Sequence, residues 1–82
     1  MDVFILLYQC GDVSHVMDVY DSEESLLQGI LDELEGGRLQ KSERYDDAMA
    51  KFESSHRVMF LTQALKNGRV VKRTVKSLHE VA

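Results

Sequence analysis

The stretch RVMFLTQALKNGRVVKRTVKSLHEV, residues 57–81, is the part of the sequence on which the fold prediction depends most. Two runs rich in apolar residues flank the dipeptide Asn67–Gly68. Asn-Gly between strand-forming residues is the strongest short-range signal for a β-hairpin, because a type I′ turn requires positive φ at both central residues. The sequence therefore predicts a hairpin that turns at Asn67 and Gly68.

The register of this predicted hairpin assigns its residues to two faces. With the turn at 67–68, Leu65 would pair with Val70, and successive side chains would alternate between the faces. One face would carry Val58, Phe60, Ala64, Val71 and Val75, and the other Met59, Leu61, Leu65 and Val70 with Lys72 and Lys76. The first face is the better candidate for the core, although Arg73 lies on it. A shift of one residue would exchange the two faces.

The N-terminal segment predicts a second hairpin over residues 1–20. Residues 1–9 are almost continuously apolar, which is typical of a strand that is covered on both faces or lies in the centre of a sheet. Gly11–Asp12 is a turn signal, and residues 14–20 alternate as a strand does. In a regular strand, one side would carry Val16 and Asp18, and the other His15, Met17 and Val19.

Two helices are predicted between the hairpins. The first runs from Ser22 to about Glu35, because Asp21 or Ser22 can cap it, Glu24 follows Asp21 at the spacing of a capping box, and Gly36–Gly37 ends it. Gly29 inside this helix costs up to about 1 kcal/mol relative to Ala unless it permits close packing. The apolar stripe of this helix would be Leu26, Leu27, Ile30, Leu31 and Leu34.

The second helix would be capped by Ser42. Its apolar stripe, at helical spacing, would be Tyr45, Ala48, Met49 and Phe52. The element order is then β-β-α-α-β-β, which predicts one α+β domain, residues 1–82, with a four-stranded antiparallel sheet and two helices packed on one face. The other sheet face would be partly open, and the sheet edges would be natural sites for strand addition or for a homodimer.

The composition narrows the classes of protein to be considered. The single cysteine, Cys10, rules out a disulfide within the chain and favours a reducing compartment, so we expect a cytoplasmic protein. The sequence contains no run of the roughly 18 apolar residues that a membrane helix needs. We therefore expect no contact with a membrane.

The charge is unevenly distributed along the chain. The net charge is −4, but residues 1–56 hold four Lys/Arg against thirteen Asp/Glu, whereas residues 57–82 hold six against one. Such asymmetry indicates either charged partners or mutual neutralisation of the two halves on a solvated surface.

No set of residues with the spacing of a catalytic or metal site is present in the sequence. His15, His56 and His79 are scattered, and no Cys-x-x-Cys or His-x-x-His pair occurs. The clustered carboxylates fall on predicted solvated helix faces, where general acid–base chemistry is not expected. We therefore predict a protein that is not an enzyme and that needs neither metal nor cofactor. An enzyme that uses Cys10 or a histidine ranks last among the hypotheses.

The leading hypothesis is a small protein-binding module, an inhibitor or regulator that occludes the surface of a partner protein. Its binding surface would be an exposed strand edge or the acidic helix faces, namely Glu23, Glu24, Asp32, Glu33, Asp46 and Asp47. Its size and lack of a catalytic set are also typical of small accessory proteins, including those that viruses of bacteria encode. No family is recognised from the residues.

The alternative hypothesis is nucleic-acid binding through the basic residues of the predicted C-terminal hairpin. These residues are Lys66, Arg69, Lys72, Arg73 and Lys76, and they could contact phosphates. The pI of about 5.2 argues against this hypothesis, because nucleic-acid binders usually show a basic field. Lys and Arg on an edge strand also protect it against aggregation, which is the more ordinary role.

Overall fold

A computed structural model describes residues 1–75 of the chain, so Lys76 and His79 lie outside the described residues. The fold is α+β, as predicted, with a three-stranded antiparallel sheet in the order β2-β1-β3 and three helices. The elements are β1 (Asp2–Cys10), β2 (Val13–Tyr20), α1 (Glu23–Gly36), α2 (Tyr45–Ser55), α3 (Met59–Ala64) and β3 (Gly68–Thr74). The prediction of four strands and two helices is wrong, because the segment before Asn67 forms a helix.

The N-terminal hairpin forms as predicted, with Gly11 and Asp12 between β1 and β2. Gly11 has a φ of 62° and Asp12 does not have a positive φ, as a two-residue type II′ turn requires. Strand β1 is the centre of the sheet, which explains its long apolar run. Phe4 and Leu6 on one face of β1 are buried in the core beneath the helices.

A β-bulge at Met17 changes the predicted faces of β2. Leu6 pairs with Asp18, but the next residue, Leu7, pairs with Val16, so Met17 is an extra residue in β2. The bulge places Val16 and Val19 on the same face of the sheet, opposite Leu7 and Ile5. The prediction that Val16 shares a side with Asp18 and opposes Val19 is therefore wrong, since it assumed unbroken alternation.

Helix α1 begins and ends almost where the sequence predicts. Its N-cap is Ser22, whose Oγ accepts a hydrogen bond from the backbone N–H of Ser25 at 3.2 Å, so Asp21 and Glu24 do not form the capping box. The helix ends at Gly37, which has a φ of 86°, the left-handed conformation that glycine adopts without cost. Leu26 and Ile30 are its fully buried residues.

Helix α2 buries the predicted stripe only in part. Ala48 and Phe52 are buried, whereas Tyr45 and Met49 are half-buried. Its N-cap position is Arg44, which makes no side-chain capping bond. The hydroxyl of Ser42, the predicted cap, donates instead to the carbonyl of Gln63 at 2.6 Å.

The segment before Asn67 is helical because its apolar residues can cover the core only at helical spacing. Leu61 and Ala64 are three residues apart on the buried side of α3, and Leu65, whose backbone is extended immediately after the helix, is also buried. Neither Asn67 nor Gly68 has a positive φ, so no type I′ turn exists there. The predicted core face was also wrong, since Val70 is buried while Val71 is half-buried and Val75 is exposed.

Asn67 joins three parts of the chain instead of forming a turn. Its Oδ1 accepts a hydrogen bond from the N–H of Gln40 at 2.9 Å, and its Nδ2 donates to the carbonyl of Arg38 at 3.1 Å. Its backbone carbonyl accepts from the N–H of Gln9 at the end of β1. These bonds direct the following residues alongside β1, where β3 pairs antiparallel from Tyr8–Gly68 to Asp2–Thr74.

Candidate functional site

The helices leave one face of the sheet uncovered within residues 1–75. Phe4, Leu6 and Val70 point towards the helices and are buried, so their neighbours along each strand point to the opposite face. That opposite face, called here the open face, carries Val3, Ile5 and Leu7 of β1, Val16 and Val19 of β2, and Arg69, Val71 and Arg73 of β3. Five of these residues, Ile5, Leu7, Val16, Val19 and Val71, are apolar and are half-buried or exposed.

The apolar residues of the open face form a continuous patch across all three strands. Ile5 pairs with Val19 on one side and Val71 on the other, and Leu7 pairs with Val16. Val16 is 62 % exposed and Val19 is 51 % exposed. Exposed apolar residues that stand singly are ordinary, but a contiguous patch marks an interaction surface.

The charged residues of the open face are both arginines of β3. Arg69 pairs with Leu7 and Arg73 pairs with Val3, so the two lie four residues apart on the same side of the apolar patch. Among the described residues, no Asp or Glu occupies a position on this face. The open face is thus apolar in the middle and basic along β3.

The predicted acidic residues do not form one surface. Glu23 and Glu24 begin α1, near the end of α2, where Glu23 Oε1 contacts Nδ1 of His56 at 3.0 Å. Asp46 and Asp47 lie in the first turn of α2. An 11-residue helix is about 16 Å long, so the length of α2 separates the two pairs of acids.

Half of these acids also have a basic partner. Glu33 contacts Arg38 at 2.9 Å and Asp47 contacts Lys51 at 3.1 Å, as Glu23 contacts His56. Asp32 accepts a hydrogen bond from Gln28. The ion pairs lie at the surface, where such contacts are weak, but they reduce the negative potential that a basic partner would meet.

The predicted basic residues are distributed over different surfaces. Arg69 and Arg73 lie on the open face, whereas Lys72 pairs with Phe4 and lies on the helix-covered side. The Nζ of Lys72 is 3.5 Å from a carboxylate oxygen of Asp2 and 5.8 Å from the centre of the Phe4 ring. Lys66 lies in the connection before β3, beside Ser42 and Gln63. The four described residues of the predicted set, Lys66, Arg69, Lys72 and Arg73, therefore do not form one row of phosphate contacts.

Of the candidate catalytic residues, Cys10, His15 and His56 lie in the described part of the chain, and these three are exposed and not hydrogen-bonded to one another. Cys10 ends β1 opposite Val13, and His15 lies diagonally across the hairpin, opposite Tyr8. His56, at the C-cap of α2, contacts Glu23 at the start of α1. Within residues 1–75 no group of three or more His, Cys, Asp or Glu side chains is arranged to hold a metal ion.

Among residues 1–75, two ionisable groups have a pKa that is shifted from its ordinary value. A hydrogen bond from the Thr74 hydroxyl, with Lys72 nearby, lowers the pKa of Asp2 below its ordinary value of 3.8. Burial, with Asp18 and other acids nearby, raises the pKa of Tyr20 above 10.0. Both groups lie at the periphery of the sheet, and both shifts have structural causes.

The sequence analysis predicted a partly open sheet face but did not identify the residues on it, since it missed the bulge at Met17. The run of Val3 to Leu7 is apolar at every position, which is typical of a strand that is covered on both faces or lies in the centre of a sheet, and β1 is the central strand. Within residues 1–75, the structure covers β1 once. No described helix is long and apolar enough to span a membrane. No protein-family model matches the chain, and comparisons with curated proteins and with solved structures also find no match.

Proposed function

We propose that this protein is a binding module that recognises another protein through the open face of its sheet. The observation that supports the proposal is the apolar patch of Ile5, Leu7, Val16, Val19 and Val71, which spans three strands. Removing such side chains from water is favourable by about 25 cal/mol for each Å² of apolar surface, before the costs of association. A partner that covered the open face would bury the second face of β1.

The charges beside the patch specify the chemistry of the partner. Arg69 and Arg73 flank the patch on the β3 side, and four residues of a strand span about 13 Å. A complementary surface has apolar side chains in its centre and carboxylates along one flank. A second copy docked by its own open face would bring further arginines and no carboxylate from the described residues, so we favour a different protein.

The mode of action that we propose is steric blocking. A module of this size that covers part of a partner protein blocks access to that part, which is how a small inhibitor or regulator acts. Catalysis plays no role in this proposal. The acidic helix faces form a second version of the same function, with Glu24, Asp32 and Asp46 as the predicted acids for which the described residues provide no ion pair.

The test is a pull-down from lysate in which each captured band is compared between the wild-type chain and matched variants. Val16→Lys with Val19→Lys places two charges on the β2 side of the open face at positions that are already more than half exposed. Leu31→Lys is the control, because Leu31 is 48 % exposed but lies on α1. We expect the double variant to lose a band that the control retains.

Two further variants separate the versions of the proposal. Arg69→Glu with Arg73→Glu should weaken the same band if the partner carries flanking carboxylates. Glu24→Lys with Asp46→Lys should weaken it only if the acidic helices bind. If the band is insensitive to the Val16 and Val19 substitutions, the open face is not the binding surface. Bands that disappear after nuclease treatment favour the nucleic-acid alternative, and light scattering tests for a homodimer.

A further inference from the structure

Strand β3 has an edge whose backbone groups are only partly satisfied. It is the last strand of the sheet, so one of its sides pairs with β1 and the other has no strand beside it among the described residues. The N–H of Val70 donates to Oγ1 of Thr62 at 2.9 Å, which shows that the even-numbered residues of β3 direct their backbone groups away from β1. The edge therefore presents the N–H and C=O groups of Lys72 and Thr74.

Helix α3 covers the first half of this edge and stops short of the second half. The hydroxyl of Thr62 also lies 3.4 Å from the carbonyl of Val70, so one side chain satisfies both backbone groups of Val70. Within residues 1–75, no hydrogen bond joins the outward N–H or C=O of Lys72 or Thr74 to α3 or to a loop. These groups form the beginning of an open ladder.

A cleft runs beside this open part of the edge. One section, of about 470 Å³, lies between α3 and β3, and the next, of about 350 Å³, continues past the residues before α3. The two sections share Val58, Met59 and Lys72. Met59 is 44 % exposed, so the cleft contains an apolar side chain that has not been covered.

All the Lys, Arg, Asp and Glu residues of the described chain that line the cleft are cationic. Arg57, Arg69 and Lys72 contribute cations, and no Asp or Glu of the described chain lines either section. Lys72 contacts Asp2 at 3.5 Å, but both side chains are nearly half exposed, so this pair is weak. A bound segment with carboxylates would meet favourable charge along the whole cleft.

We propose that the edge of β3 at Lys72–Thr74 and the adjoining cleft bind an extended acidic segment of a partner protein by strand addition. The segment hydrogen-bonds to the free backbone groups, places an apolar side chain against Met59 and Val58, and directs carboxylates towards Arg57, Arg69 and Lys72. Strand addition of this kind obtains affinity from the main chain and specificity from the side-chain pockets.

The same charges disfavour other occupants. Pairing of β3 with β3 of a second copy would bring two sets of cations together, which is unfavourable for opposed strands. A single-stranded nucleic acid needs several aromatic side chains on which its bases stack. Among the described residues, the two sections of the cleft are lined by no Phe, Tyr or Trp, and His56 at one end is the single aromatic ring. Arg69 and Val71 border both the open face and the cleft. The inference is therefore tested at Arg57 and Lys72, which are not part of the open face.

The probe is a labelled synthetic peptide of about ten residues that alternates valine and glutamate, a length that is sufficient for a typical strand. Binding is followed by fluorescence anisotropy at low and moderate salt, and amide hydrogen exchange reports on Lys72 and Thr74. We expect saturable binding that weakens with salt, with slower exchange at these two amides. A valine–lysine peptide should not bind. Two further versions of the acidic peptide are N-methylated at alternate residues, one at the odd and one at the even positions. One of these two versions should lose binding, because alternate residues of a strand direct their N–H groups to opposite sides.

Three variants test the role of the cleft. Arg57→Glu and Lys72→Glu should each weaken peptide binding about two- to fivefold or more, as the loss of an exposed ion pair does. Arg44→Glu reverses an exposed charge at the N-cap of α2 and should have no effect. Lys72→Pro removes an outward N–H without removing a bond to β1, and should weaken binding more than Lys72→Ala does.

The outcomes that overturn the inference are specific. No binding up to about 1 mM peptide, an affinity too weak for a specific site, would contradict it. Equal binding of both N-methylated peptides would show attraction by charge alone, without strand addition. Tighter binding of a single-stranded oligonucleotide than of the acidic peptide would assign the cleft to nucleic acid. The Val16→Lys, Val19→Lys variant must retain peptide binding, because its substitutions lie at the opposite edge of the sheet.

Discussion

The side chain of Tyr20 occupies the space beside helix α1 that a side chain at Gly29 would need. A Cβ atom placed on Gly29 would overlap the hydroxyl oxygen and the ring of Tyr20. This contact explains why a glycine is present in the middle of a helix whose other residues favour helix formation. It also fixes the end of β2 against α1, immediately before the turn that connects them.

Gly29→Ala should therefore destabilise the protein although Ala is the better helix former. The gain in helix propensity is up to about 1 kcal/mol, whereas overpacking costs about 1–3 kcal/mol. We expect a net loss in the free energy of unfolding, measured by urea denaturation. Gly36→Ala is the control, because a Cβ there meets nothing within 4 Å and should leave stability unchanged or raise it.

A double-mutant cycle checks the cause of this loss. In a Tyr20→Leu background, Gly29→Ala should cost less than in the wild-type chain, because the obstructing hydroxyl and ring are gone. Additive free-energy changes would show that Gly29 is required for a reason other than its contact with Tyr20.

Tyr20 should titrate above the ordinary tyrosine pKa of 10.0. Burial disfavours the phenolate, and Asp18, Glu33 and Asp32 add negative charge. Because the pKa is higher in the folded chain than in the unfolded chain, this stabilising contribution is complete below pH 10 and is lost as the pH rises through the folded value. Asp18→Asn should lower the pKa towards 10.0 in an NMR titration of the tyrosine Cζ signals, and an unchanged value would contradict the contribution of Asp18.

Asn67→Ala should loosen the start of β3. The variant loses the hydrogen bonds to the Gln40 N–H and the Arg38 carbonyl, and the expected cost is about 1–2 kcal/mol in unfolding free energy. Asn67→Asp keeps the acceptor for the Gln40 N–H but sets a carboxylate oxygen against the Arg38 carbonyl, so it should not restore the lost stability. If Asn67→Gly is as stable as the wild-type chain, the side-chain bonds contribute little and the backbone bond to Gln9 is sufficient.

Thr62→Val should destabilise the edge of β3 while conserving the shape of the side chain. The N–H of Val70 would lose its acceptor in a partly buried position, at a cost of about 1–3 kcal/mol. Thr74→Val is the matched control, because its hydroxyl is exposed and contacts Asp2. The control should cost little stability but should raise the pKa of Asp2 towards 3.8, and amide exchange at Val70 should increase only in Thr62→Val.

The segments that were predicted well are those whose signals are local. Ser22 and Gly37 bound α1, and Gly11 turns the first hairpin, because a cap or a turn depends on a few neighbouring residues. Helix α2 was found from its apolar spacing. The bulge at Met17 was not predictable in the same way, because it depends on the register of β2 against β1. Missing it placed Val16 and Val19 on opposite faces, although both lie on the open face.

The sequence alone determined the α+β class, the N-terminal hairpin, two of the three helices and the polarity of charge along the chain. Only the tertiary structure decided between hairpin and helix before Asn67, because Leu61 and Ala64 gain burial as part of a helix against the core. The same packing left β3 free to pair with the central strand β1. The open face and the β3 edge are products of that pairing, since they depend on which face the helices cover and on where α3 ends.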